Sequence, residues 1–154
     1  KLFVQLMKKK IIASFLIFFL FNFKSLAKDT FVSLKKKVVN VRHGPTFDSP
    51  VKYIYKKINL PVKLIDKKDN FRRIIDQKNN SGWIHRSQLK KVNSIIILEN
   101  KILFKKPSHF SKPILRLEKG RLLVIKKCLS DWCKVSTDDY NGWIKTGNIW
   151  GNIN

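Results

Sequence analysis

The second half of this chain repeats the first, and that constrains its fold more than any other feature. Gly82-Trp83-Ile84 returns as Gly142-Trp143-Ile144 at an offset of 60 residues. Upstream, Asp69-Asn70-Phe71-Arg72-Arg73-Ile74 matches Ser130-Asp131-Trp132-Cys133-Lys134-Val135 at an offset of 61. Phe47-Asp48-Ser49-Pro50-Val51 matches Phe110-Ser111-Lys112-Pro113-Ile114 at 63. Each copy therefore has the size of one small domain, not of a propeller blade or a solenoid turn. The drift in offset places small deletions in loops. Domains this small bury a limited fraction of their surface, so the copies are expected to share a face or to carry a covalent staple.

Within each copy, short runs rich in β-branched and aromatic residues alternate with turn formers. Copy one offers strands at 39–42, 53–55, 61–65 and 71–76. The Asn79-Asn80-Ser81-Gly82 turn then leads into Trp83-Ile84-His85. Copy two offers 102–104, 114–117, 122–125, 132–136 and 140–144, with turns at 118–120 and 137–139. This spacing predicts small antiparallel barrels or sandwiches. No long stretch holds a helical period, and a single 3₁₀ turn is expected at Gln88 to Lys91. Lys90 to Ser94 reads as a polar bridge between copies. The all-apolar Ile95-Ile96-Ile97-Leu98 should be buried on both faces, where the two units meet, since an exposed edge of that composition would aggregate.

The N-terminus reads differently. Lys8-Lys9-Lys10 precedes 13 uncharged residues, Ile11 to Phe23, and then Lys24 and Ser25-Leu26-Ala27. Basic, apolar and small-residue regions in that order make a secretory signal peptide, with cleavage expected after Ala27. A membrane anchor is the competing reading, but as a helix the apolar run would reach only ~20 Å across a core of ~30 Å. Residues 1–6 fit neither region, which makes Met7 a candidate start. The expected organisation is a leader at 1–27, a first domain at 28–93 and a second at 94–154.

Net charge is +23, and removing five lysines and no acid with residues 1–27 leaves 23 − 5 = +18. A surplus of this size is compatible with polyanion partners such as lipopolysaccharide, anionic lipid or nucleic acid. The 27 lysines outnumber six arginines and are scattered through both halves, unlike the clustered arginines and aromatics of a nucleic-acid reader. No specific nucleic-acid partner is expected. Membrane contact is expected only through the leader or weak surface electrostatics. Cys128 and Cys133 are the only cysteines. Without nearby histidines they make a poor zinc site, so in an exported chain they read as a disulfide pinning the hairpin at 129–132.

Val39-Asn40-Val41-Arg42-His43-Gly44-Pro45, followed by Ser49-Pro50-Val51, resembles the opening signature of bacterial SH3-like domains. Gly82-Trp83-Ile84 resembles the strand that closes their barrel. In copy two, Cys128, Asp131-Trp132-Cys133, Gly142-Trp143-Ile144 and Trp150-Gly151 resemble the C-terminal half of exported tandem SH3-like proteins. The resemblance covers Phe31 to Gly151 and implies an all-β chain of two tandem SH3-like barrels in the periplasm or outside the cell. Two departures stand out. Copy two has Leu103-Phe104-Lys105-Lys106-Pro107 in place of the Asn-x-Arg and Gly-Pro signature. Copy one has Phe71 where tryptophan is usual, and no cysteine pair.

Gly44 is expected to take a positive φ, and Pro45 to stiffen the same turn. Asn40 is expected to brace the turn through backbone hydrogen bonds, and Arg42 to reach carbonyls or a carboxylate. Gly82, and Gly142 after it, should let each tryptophan lie against a neighbouring strand. The acids form no pair suited to hydrolysis, and His43, His85 and His109 have no metal-binding spacing. No catalytic residue, metal or cofactor is expected. Binding remains, in a shallow aromatic groove. Candidate ligand residues are Arg42, Phe47, Phe71 and Trp83 in copy one, and Phe110, Trp132 and Trp143 in copy two. The readings are a cell-wall binding module for peptidoglycan peptide or glycan, a scaffold for another envelope protein, and polyanion binding through lysines.

Overall fold

A computed structural model describes residues 29–153. The expected leader at 1–27 and Met7 lie outside the described residues. The chain is all-β, and its strands fall into two sets of seven. The first set is β1 (Phe31–Leu34), β2 (Val39–Arg42), β3 (Val51–Tyr55), β4 (Pro61–Lys68), β5 (Phe71–Ile75), β6 (Ser81–His85) and β7 (Leu89–Lys91). The second is β8 (Ser94–Ile97), β9 (Lys101–Phe104), β10 (Pro113–Leu117), β11 (Leu122–Leu129), β12 (Trp132–Thr137), β13 (Tyr140–Lys145) and β14 (Ile149–Trp150). Each set forms one antiparallel sheet. Strand order is β3-β2-β6-β5-β4-β1-β7 in the first and β10-β9-β13-β12-β11-β8-β14 in the second. Adding seven to every label of the first order gives the second, so the sequence repeat is a repeat of topology. These are the two tandem SH3-like units expected from the sequence.

Alternation creates each core. Val39 and Val41 of β2, Ile74 of β5 and Ile84 of β6 point inward with Leu34 and Val62, all fully buried. Leu103, Leu123, Val135 and Ile144 do the same in the second unit, with Ile95, Ile97 and Leu117. Turn chemistry repeats too. Two-residue hairpins at Asp69-Asn70 and Ser130-Asp131 join β4 to β5 and β11 to β12, with positive φ at Asp69 (47°) and Ser130 (50°). That handedness matches the twist of the paired strands. Cys128 and Cys133 sit directly opposite each other beside the second hairpin and form a disulfide, with Cα atoms 4.0 Å apart.

The units meet through β8, which packs against β4. Ser94 Oγ donates to the carbonyl of Asn59, which leaves Ser33 Oγ to donate to Ser94 Oγ at 2.8 Å. Ser33 Oγ in turn accepts from the Asn93 backbone N–H at 3.4 Å. The Trp150 indole lies edge-on to Phe31, with centroids 5.2 Å apart. Ile95, Ile96 and Ile97 are buried, but Leu98, expected to be buried with them, lies beyond the end of β8 and is exposed.

Several local expectations need correction. Leu89–Lys91 is a strand, and the 3₁₀ turn precedes it at Arg86–Gln88, capped by His85. Asn40 is not a turn residue: it pairs with Ile54 in the middle of β2. Gly44 has no positive φ. A Cβ there would meet the Ser49 hydroxyl at 2.6 Å, a contact that a side-chain rotation can relieve. Gly82 and Gly142 are not the turn residues expected but belong to β6 and β13, where a Cβ would lie 2.4 Å from Val41 Cγ1 and 2.6 Å from Leu103 Cγ.

Candidate functional site

Strand register decides which side chains share the outer face of the first sheet. Arg73 of β5 lies opposite Trp83 of β6, and Trp83 opposite Arg42 of β2. One step along, Phe71 lies opposite His85. Residues directly opposite each other, and residues two apart on a strand, project from the same face. Arg42, Trp83, Arg73, Phe71 and His85 therefore form one outward surface.

The loop between β2 and β3 completes it. Phe47 folds over the second row, with its ring centroid 5.2 Å from Phe71 and 5.0 Å from His85. Phe71 is thereby buried, while Phe47 remains 63% exposed. Arg42 holds this loop in place: its Nη1 donates to the Ser49 carbonyl at 2.7 Å, and its guanidinium lies 6.0 Å from the Phe47 ring. Thr46 Oγ1 accepts from the Ser49 backbone N–H at 3.1 Å, closing the turn. Arg42, Phe47, Phe71 and Trp83 are thus brought together, and His85 joins them unforeseen. Its place two residues after Trp83 on the same strand was the available signal.

The second unit keeps the geometry and changes the chemistry. Phe104 occupies the position of Arg42 beside Trp143, and Lys134 that of Arg73. Trp132 faces Lys145 as Phe71 faces His85. Over Trp132 lies His109, centroids 4.9 Å apart, with Phe104 5.7 Å from Trp132. Trp132 and Trp143 share this face, but Trp143 is 8% exposed and Lys127 Nζ lies 5.6 Å from its ring centroid. Phe110 does not join them, and its side chain is fully exposed. The reason is register: Arg42 pairs with Val51 and Phe104 with Pro113, so the offset is 62 on both sides of the loop. His109, not Phe110, stands where Phe47 stands. Phe104 and His109 were missed because the loops were matched by residue likeness instead of strand pairing.

A concavity of about 230 Å³ opens on the first unit's outer face, lined by Arg42, His43, Lys52, Arg73, Ser81, Gly82 and Trp83. The second unit carries an apolar hollow of about 440 Å³ along β9 and β10, lined by Ile102, Pro113, Ile114 and Leu115 among others. Among the described residues no group of three or more His, Cys, Asp or Glu side chains could hold a metal ion. No helix there is long and apolar enough to cross a membrane. The outer faces offer stacking platforms and cationic donors, an arrangement suited to binding.

A family model for the bacterial SH3 domain matches the chain twice, at residues 35–91 and 99–151. No curated protein matches. Among solved structures, NlpC2 from Trichomonas vaginalis aligns at 13% identity and a TM-score of 0.38, covering 83% of this chain and 50% of its own. NlpC1 from the same organism aligns at 13% identity and a TM-score of 0.38, covering 82% and 47%. The chain spans about half the length of these two structures.

Proposed function

Because the chain belongs to the bacterial SH3 domain family, whose members are binding modules often directed at the cell wall, we propose that it is a non-catalytic, exported module that recognises peptidoglycan peptide or glycan. The observation that carries this reading is the convergence of Phe47, Phe71, His85, Trp83 and Arg42 on one face of the first unit. Phe47 leaves a large aromatic surface in solvent and is braced from below by buried Phe71. An exposed ring held rigid by its loop is a low-entropy platform for a sugar ring or a peptide. Export is part of the proposal and rests on the leader-like N-terminus; a periplasmic location rests on the resemblance to exported tandem SH3-like proteins.

Co-sedimentation with purified peptidoglycan sacculi at low and moderate salt tests it. Aromatic recognition survives moderate salt, whereas binding through scattered lysines is screened away. Loss of binding with salt would leave only polyanion attraction.

A second reading has its own support. Ile102 and Ile114 are exposed beside the apolar hollow of the second unit, and β10 is a sheet edge. An envelope protein docking there would make the chain a scaffold. Cross-linking in the envelope, with retention of the partner in Ile114→Lys as the contrary result, tests that reading.

A further inference from the structure

The concavity beside Trp83 is strongly polarised. Arg42, His43, Lys52 and Arg73 line it, and no acidic side chain does. Lys52 arrives there through a β-bulge. Val41 pairs with Tyr53 and Arg42 with Val51, so Lys52 is the extra residue of β3, and its Nζ donates to the Ser81 carbonyl at 2.9 Å. Bulges commonly re-aim a side chain toward a site. Arg42 is likewise fixed, on the Ser49 carbonyl. Arg73 differs: among the described residues its guanidinium makes no hydrogen bond or ion pair. The nearest acid in register, Asp66 on β4, turns its carboxylate to the Lys67 backbone N–H at 2.7 Å instead. Two braced cations and one unpaired planar fork therefore surround the edge of an indole.

The second unit removes this feature residue by residue. Phe104 replaces Arg42, the bulge residue Ile114 replaces Lys52, and Lys134 replaces Arg73. We infer that the first unit alone carries a carboxylate-binding site, formed by Arg42, Lys52 and Arg73 beside Trp83, and that it captures the free C-terminal carboxylate of a peptide. A planar carboxylate matches the guanidinium fork of Arg73. Trp83 lines the same concavity; phosphate also suits a guanidinium fork, and the phosphate arm of the test separates the two anions. The inference rests on the reading that this face meets the ligand, and it names the chemical group recognised there.

The test is a titration of the ¹⁵N-labelled chain with N-acetyl-dialanine, its C-terminal amide and inorganic phosphate. The free acid should shift the Trp83 indole and Arg73 Nε cross-peaks and leave Trp143 in place. The amide should bind at least about tenfold more weakly, the loss expected for a charge-assisted hydrogen bond. Arg73→Gln should abolish the response, and Lys52→Gln should weaken it; both residues are exposed, so the fold should persist. Equal response to acid and amide overturns the inference, as does equal movement of Trp143. So does phosphate shifting Trp83 where the acid does not. Sacculus binding separates this from the broader reading. If Arg73→Gln binds sacculi as the parent does, the carboxylate site falls and wall recognition stands. If the parent ignores sacculi but the acid still shifts Trp83, the site stands and wall recognition falls.

Discussion

The indole Nε1 of Trp150 donates a 3.0 Å hydrogen bond to the carbonyl of Pro61, 89 residues earlier in the chain. Pro61 opens β4 of the first unit, and Trp150 closes the last strand of the second. With Phe31 against the same ring, this contact joins two units that are each near the lower size limit for a stable domain. Trp150→Ala is expected to destabilise the chain by ~2–4 kcal/mol, near the range for truncating a buried aromatic. Urea unfolding should then separate into two transitions. A single transition with an unchanged midpoint would mean the units do not depend on this contact.

The two closely approached glycines give a paired prediction. A methyl at Gly82 meets Val41 Cγ1 and the Arg42 carbonyl, and one at Gly142 meets Leu103 Cγ and the Phe104 carbonyl. Backbone cannot move aside as a side chain can, so Gly82→Ala and Gly142→Ala should each cost ~1–3 kcal/mol. Gly44→Ala meets only the Ser49 side chain and should cost less than either. Thermal melts of the three variants check the order.

Tyr55 predicts an alkaline limit. Its hydroxyl donates to buried Asp76 at 3.0 Å and lies 3.4 Å from that of Tyr53. Burial first, then the neighbouring Tyr53 and Asp76, hold its ionisation well above the ordinary tyrosine range. A phenol raised in the folded state is neutral in both states below ~10, the unfolded value. Its contribution is therefore complete at neutral pH and is lost as pH rises above ~10, by up to ~1.4 kcal/mol per unit. Lysines titrate in the same range, so the comparison is with Tyr55→Phe, whose stability should fall less steeply there. Equal slopes would remove Tyr55 from the account.

The disulfide should matter little for global stability. It closes a separation of five residues, and the entropic estimate for so short a loop is about 2 kcal/mol. Reduction should leave the fold intact and loosen amide protection around Leu129 to Trp132, as hydrogen exchange would show. Global unfolding on reduction would contradict this.

Most of the fold was legible because two signals agree: alternation in each strand and a repeat that fixes equivalent positions. The unforeseen strands β1, β7 and β14 are short, and pairing across the sheet defines them more than their own composition. The far end of β4 was missed because Asp66-Lys67-Lys68 lacks the apolar alternation of a strand, whereas the cysteine pair marked the matching end of β11. Both ends extend as hairpins into solvent, where charge costs nothing. The candidate face was half legible. Arg42 and Trp83 lay in family-like motifs of the first unit, and Phe47 and Phe71 stood out through the internal repeat. In the second, Phe110 resembled Phe47 in sequence, but strand register gave its place to His109. The basic concavity was hidden because it depends on a bulge, which alternation does not reveal.

The central claim is that the first unit's outer face recognises cell-wall material through Phe47 and its neighbours. Sacculus co-sedimentation at moderate salt, comparing the parent with Phe47→Ala and Phe110→Ala, tests it most directly. Both rings are exposed, so neither variant should unfold. The account predicts salt-resistant binding by the parent, at least about tenfold weaker binding by Phe47→Ala on the scale of a lost aromatic anchor, and no change in Phe110→Ala. Absence of binding by the parent, or equal binding by all three, would contradict it.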